Sequence, residues 1–415
     1  MNDKGIKPML FLLAIVAFFI GMDSLVVSPL IPDIAKSTAT PMEKGGWLIT
    51  SYALFYGLTA PFFGPISDKF GRKQMIVTGM LIFSIGTFCT GLTQDFNTIL
   101  VFRALTGLSG AMIMPSIFAL IGDKIPYKMR GMAMGMIMGA MVGSTVLGVP
   151  IGAFLTSVGN WQWTFYGIGI LALLVAFIVI GMLPKTPLTN QIQVSVPVAM
   201  ISAIKTAFTN SSVFFALLST FLWTVSLQGM FSYIGVYYKE NFDFGVEKTG
   251  MVIFFAGAGS IIGNVIGGKL SDKIGKKAVV SIATIIAAVG VVSFSLLTDH
   301  VIAAMIAHVL WSTSIGFGQS SLTALISELS PKVRGTVMAL NSSAMYIGMM
   351  FASAGASWLL VRGQSFLAIG ILCATASFLV LPIVYFLVKE GSATTVNEQK
   401  AQIGVPPHRY QAKIM

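Results

Sequence analysis

The sequence predicts an all-α polytopic membrane protein, with twelve transmembrane helices in two six-helix halves related by a pseudo-twofold axis. Three observations carry this. Of 415 residues, 55% are apolar and 10% charged, against roughly 25% charged in a soluble domain. The apolar residues fall into twelve runs of about the 20 residues needed to cross hydrocarbon. Two loop sequences recur at a constant spacing of 204 residues.

The runs cover 8–32, 45–66, 75–93, 98–121, 132–157, 163–183, 212–236, 249–270, 278–297, 301–326, 336–360 and 366–388. We number them spans 1 to 12. Lys4 and Lys7 before span 1 have the outline of a secretory signal, but the run is too long and contains Asp23, so it is read as a retained helix. Segment 184–211, with Pro184, Pro187 and Pro197, reads as a linker between halves 1–183 and 212–388. The polar tail 389–415 is expected to be disordered.

Charge sets the orientation. With both termini cytoplasmic, 20 of the 26 Lys and Arg lie inside, five outside, and Arg103 within a span. This obeys the positive-inside rule and places the chain in the cell membrane. The net charge of +11 is thus explained by topology, and no nucleic-acid partner is expected. Cys89 and Cys373 sit in separate runs, and the three histidines have no ligand spacing. No metal site and no cofactor are therefore expected. There is no nucleotide-binding Gly-rich loop, so ATP is not the direct energy source. No constellation of titratable groups suggests an enzyme, and a monomer is the default expectation.

The repeat is explicit. Gly64-Pro-Ile-Ser-Asp68-Lys-Phe-Gly71-Arg72-Lys73 matches Gly268-Lys-Leu-Ser-Asp272-Lys-Ile-Gly275-Lys276-Lys277. Lys128-Met-Arg130-Gly131 matches Lys332-Val-Arg334-Gly335 at the same offset. A duplication of six helices crosses the bilayer in the same direction twice, which gives parallel halves.

The loop between spans 2 and 3 resembles the signature loop of the major facilitator superfamily. Within it, the chain is similar to twelve-helix drug:proton antiporters. Asp23-Ser-Leu-Val-Val-Ser-Pro29 resembles the acidic motif of their first helix, and Arg103-Ala-Leu-Thr-Gly107 that of their fourth, with Thr106 where Gln is usual. Gly148-Val-Pro150-Ile-Gly152 resembles the antiporter motif, in a form closer to the sugar- and metabolite-efflux branch. The resemblance implies a proton-coupled exporter of small amphipathic or cationic compounds, working by alternating access. The alternative is export of a native metabolite such as a sugar or siderophore. It also implies that Gly64, Asp68, Gly71, Arg72, Lys73 and Arg130 form a conformational latch, with Asp68 engaging the opposite half.

Residue chemistry adds further candidates. Gly131, just before span 5, shares one helix face with Gly135, Gly139 and Gly143 within it, as Gly259, Gly263 and Gly267 share one in span 8. Such faces permit close, sliding helix contact, and the resemblance sets the two spans against each other. Pro150 permits a bend. Tyr52, Tyr56, Trp223, Gln228, Asn264, Gln319, Asn341 and Tyr346 are candidate lining residues for a small-molecule substrate. His308 is expected to pack rather than relay protons. Asp23 is the one acidic residue well inside a span, where a charge needs a cavity or a partner. At 1.5 Å per residue, Asp23 and Arg103 both lie in the outer half of the same six-helix bundle, so a pair is reachable. They are the expected proton-coupling pair.

Overall fold

The structure, a computed structural model, describes residues 3–184, 205, 209–329 and 334–389. Most of the linker and nearly all of the tail lie outside the described residues. Among those described, helices account for every regular element. In hydrocarbon a helix satisfies its own backbone, and a lone strand cannot.

The first half contains α1 (Asp3–Ser37), α2 (Gly46–Phe70), α3 (Arg72–Leu92), α4 (Phe96–Lys124), α5 (Tyr127–Gly143), α6 (Val149–Val158) and α7 (Trp161–Met182). The second contains α8 (Ser211–Phe231), α9 (Ile234–Phe242), α10 (Val246–Ile274), α11 (Lys276–Leu296), α12 (Val301–Leu329), α13 (Arg334–Val361) and α14 (Phe366–Pro382). Span 5 is α5 and α6 joined through a π-turn, Ser144–Gly148. Span 7 is α8 and α9, broken at Ser232 and Tyr233. It runs to Phe242, beyond the expected limit of 236, and its continuous apolar run gives no sign of the break.

Among the described residues, eleven segments are long and apolar enough to cross a membrane. The remaining span, α2, has 25 residues and loses hydropathy to Thr50, Ser51, Tyr52 and Tyr56. Both tyrosines are buried in the bundle rather than turned to lipid.

The 204-residue offset persists in three dimensions. The bounds of α3 and α11 differ by 204 at each end. Gly71 and Gly275, which precede them, take φ of 97° and 90°. A side chain at either position would be strained, so glycine recurs in both loops. Helix contacts follow the same repeat: α2 packs on α4 as α10 packs on α12, and α3 on α7 as α11 on α14. The halves meet where α2 crosses α13 and where α6 crosses α10.

Large apolar side chains such as Leu58, Ile85, Val101, Phe154, Ile262 and Leu310 face outward. Trp47, Trp163 and Trp358 are exposed near the end of the bundle opposite Asp3 and Lys389, the place of an interfacial aromatic belt. We call this the distal end. Met129, Met132, Met134, Met136, Met138 and Met141 of α5 are half-buried or exposed, with Met132 61% exposed, as filler facing lipid.

Candidate functional site

The interior of the first half is organised around one charge pair. Arg103 Nη1 lies 2.6 Å from Asp23 Oδ2, and both side chains are fully buried. Arg103 Nη2 also donates to the Asp23 carbonyl at 3.2 Å. Thr87 of α3 donates to Asp23 Oδ1 at 3.3 Å, a contact that nothing in the sequence signals. Such a pair offsets the desolvation of both ions, and removing one member leaves a buried charge at a cost of about 3–5 kcal/mol.

Local packing aims these side chains. A Cβ at Gly148 would lie 2.8 Å from Met22 Cγ, and one at Gly152 would fall on Val26. These two glycines thus seat α1 against span 5, and Asp23, on another face of α1, turns toward α3 and α4. A Cβ at Gly107 would fall on the Tyr52 carbonyl. That backbone approach of α4 to α2 lays the Arg103 guanidinium over the Tyr52 ring, 4.8 Å from its centroid.

Tyr52 leads across the molecule. Its ring lies 6.1 Å from that of Tyr346 on α13 and 6.2 Å from Tyr56, while Tyr56 and Tyr346 stack at 3.5 Å. The charge pair therefore connects, through one ring, to the seam between halves. At the repeat-related positions of the second half stand Leu227 and Ala307; the pair exists once.

The remaining lining candidates do not converge. Asn341 accepts from Thr220 at 2.7 Å, tying α13 to α8. Asn264 and Gln319 bond along their own helices, to the Ser260 carbonyl and the Thr323 hydroxyl. Trp223 lies over Gly318, where a Cβ would meet the indole. Trp223 Nε1, Ser226 Oγ and Gln228 Oε1 are buried without a hydrogen-bond partner among the described residues. His308 sits among Phe294, Trp311 and Tyr238, with Nδ1 3.3 Å from the Tyr238 hydroxyl.

The glycine faces pack differently from expectation. Gly139 and Gly143 have nothing within 4 Å of an added Cβ, whereas Gly259, Gly263 and Gly267 abut Val309, Thr313 and Phe317 of α12. Spans 5 and 8 do meet, but through Thr145, Val146, Pro150 and Ala153 against Gly250 and Gly257. Helical spacing groups residues on a face without choosing its neighbour, and here the α10 face goes to its own half.

In the signature loop, Arg72 donates to Asp123 at 3.2 Å and to Ser67 Oγ at 2.6 Å. Lys73 Nζ donates to the Ile180 and Leu183 carbonyls at 2.6 Å, satisfying the open end of α7. Arg130 Nε donates to the Ile125 carbonyl. These bonds lie within the first half. Gly64 has open space around it, and the Asp68 side chain lies outside the described residues.

At the distal end the halves are bonded together. The Tyr233 hydroxyl donates to the Glu43 carbonyl and accepts from Gly46 N at 2.8 Å. Ser357 Oγ donates to the same carbonyl at 2.6 Å. Thr50 and Ser353 share a hydrogen bond of 2.8 Å. Ser28 takes the Phe231 carbonyl, which the break in span 7 leaves without a helical partner. Nothing in the sequence singles out this cluster beyond Tyr233 standing at the repeat position of Pro29. A cavity of about 700 Å³ lies beside it, lined in part by Asp33, Lys36, Glu43 and Phe244.

A duplicated twelve-span bundle with one buried ion pair linked to the seam between its halves is the architecture of a membrane transporter. The chain belongs to the Major Facilitator Superfamily, whose model matches residues 13–353. It is 28% identical over 413 residues to the MFS-type transporter YwfA of Bacillus subtilis, covering 96% of this chain and 97% of the relative. Multidrug resistance protein 2 of the same organism is 24% identical over 357 residues, 85% of this chain and 88% of the relative. The fold matches the crystal structure of a D-xylose-proton symporter with a TM-score of 0.78 at 15% identity, covering 93% of this chain and 98% of that one.

Proposed function

We propose that the chain is a proton-coupled secondary exporter of small amphipathic compounds, cationic ones among them, working by alternating access. The observation that carries this is the fully buried Asp23–Arg103 pair. A carboxylate that trades a guanidinium for a proton couples protonation to movement. In the cycle, a proton from the more acidic outer side binds Asp23 Oδ2 and frees Arg103. Release to the cytoplasm restores the pair, and one proton enters per turnover. The names of the multidrug relatives support export of drug-like compounds.

In this reading both termini, linker 184–211 and tail 389–415 are cytoplasmic, and the protein acts as a monomer in the cell membrane. The distal closure then corresponds to a state open to the cytoplasm. Asp68 engages the second half when that side closes. A native metabolite as substrate is favoured by one feature: Asp23 and Arg103 cancel, so the interior charge does not itself demand a cation.

Proteoliposomes with an imposed pH gradient test the reading, with ethidium as probe. The expected result is ethidium movement driven by the gradient in wild type and lost in Asp23→Asn, with ethidium binding kept. If Asp23→Asn still concentrates ethidium in response to the gradient, Asp23 is not the coupling group.

A further inference from the structure

We propose that Tyr52 is the positioning residue that transmits the state of the Asp23–Arg103 pair to the seam between the halves; this rests on the coupling role proposed above for Asp23. Tyr52 is fully buried and touches both systems. On one side its ring face carries the Arg103 guanidinium at 4.8 Å. On the other it meets Tyr346 of the second half at 6.1 Å, and Tyr56 stacks on the same partner at 3.5 Å. Tyr52 thus stands between the pair and Tyr346.

The surroundings leave Arg103 few alternatives. Asp23 and Arg103 are the only fully buried charged side chains among the described residues. The charged or titratable groups facing Asp23 are Arg103 from α4 and Tyr52 from α2. The adjoining α3 supplies the Thr87 hydroxyl, and the π-turn after α5 supplies Ser144 beside Gly21. Arg103 Nε and the Tyr52 hydroxyl are both without hydrogen-bond partners among the described residues.

When a proton neutralises Asp23, the guanidinium loses its anion. A desolvated cation is held over an aromatic face by the ring quadrupole. The Tyr52 ring, which already carries the guanidinium, is where that charge turns. Tyr52 cannot follow by moving its backbone, because Gly107 holds α4 against the Tyr52 carbonyl. The ring itself tilts, and its contact with Tyr346 changes. Neutralisation of Asp23 in one half thereby loosens the α2–α13 seam, while the re-formed ion pair tightens it. The ring is what the device needs, so phenylalanine serves at this position and leucine does not.

The test uses full-length protein in lipid nanodiscs, with spin labels at Lys36→Cys and Glu247→Cys in a background lacking Cys89 and Cys373. Protons are the only ligand. Distances across the distal end are followed against pH, and carboxyl protonation is followed in parallel by infrared difference spectroscopy. Wild type and Tyr52→Phe should show the same pH-dependent shift of distance. Tyr52→Leu should keep the Asp23 carboxyl band and lose the distance shift. In a cycle with Asp23→Asn, the Tyr52→Leu effect on the distance should vanish. A Tyr52→Leu protein whose distances follow pH as in wild type overturns the role of Tyr52 and leaves Asp23 coupling standing. A wild type without a pH response, or Asp23→Asn with one, overturns both.

Discussion

Lys276 Nζ stands 3.0 Å from Glu328 Oε2, repeating in the second half the 3.2 Å pair between Arg72 and Asp123 in the first. Each pair joins the start of one helix to the end of the next, at α3–α4 and α11–α12. The two are not equivalent. Arg72 additionally reaches Ser67 Oγ and the Gly64 carbonyl. Glu328 is 63% exposed, and an exposed pair contributes about 0–1 kcal/mol. Arg72→Ala should therefore reduce transport strongly, and Lys276→Ala should leave it near wild type. Equal effects in a proteoliposome assay would mean that both loops are simple anchors.

Removing Arg103 should endanger the fold as well as the coupling. Arg103→Ala leaves the Asp23 carboxylate buried alone, a loss of about 3–5 kcal/mol. Its melting temperature in detergent should fall by many degrees. Asp23→Asn combined with Arg103→Gln should recover most of that loss and none of the pH-driven transport. A double variant no more stable than Arg103→Ala would show that packing, not uncompensated charge, dominates.

The glycines sort by what surrounds them. Gly263→Ala would drive a methyl into the Thr313 carbonyl, and Gly107→Ala into that of Tyr52. Both should lower thermal stability. Gly139→Ala meets open space and should melt as wild type does. A destabilised Gly139→Ala would mean that its helix face is covered after all.

Tyr233→Phe removes the hydroxyl that joins Glu43 and Gly46. Two hydrogen bonds of modest net value, about 1.4 kcal/mol together, shift a two-state population roughly tenfold. A cysteine replacing Ser353, fully buried in this closure, should react correspondingly faster with a membrane-impermeant maleimide. An unchanged labelling rate would remove Tyr233 from the closure.

Much of this architecture is written in the sequence. Hydropathy marks the spans because each must bury its backbone in lipid. The 204-residue offset places Gly71 and Gly275 in matching loops, and helical rise puts Asp23 and Arg103 in the outer half of one bundle, within reach of each other. Neighbour choice is not legible. Tyr52 reads as a cavity residue, yet it lies against Arg103, because the approach of α4 at Gly107 depends on tertiary packing. The break at Tyr233 escapes notice because no proline marks it and the flanking Gly229 and Gly235 are two of many glycines within spans; its partners are a carbonyl and an amide in the other half, which carry no side-chain signature.

The pair at Asp23 and Arg103 has no copy at Leu227 and Ala307. On the proposed coupling, a duplicated chain with a single charge pair divides its labour: the first half takes up the proton and the second is moved. On the proposed coupling, proton stoichiometry belongs to the first half alone. A tandem of two first halves would carry two such pairs and take up two protons per turnover. A tandem of two second halves would have no acid to titrate there, and its solute would simply run downhill.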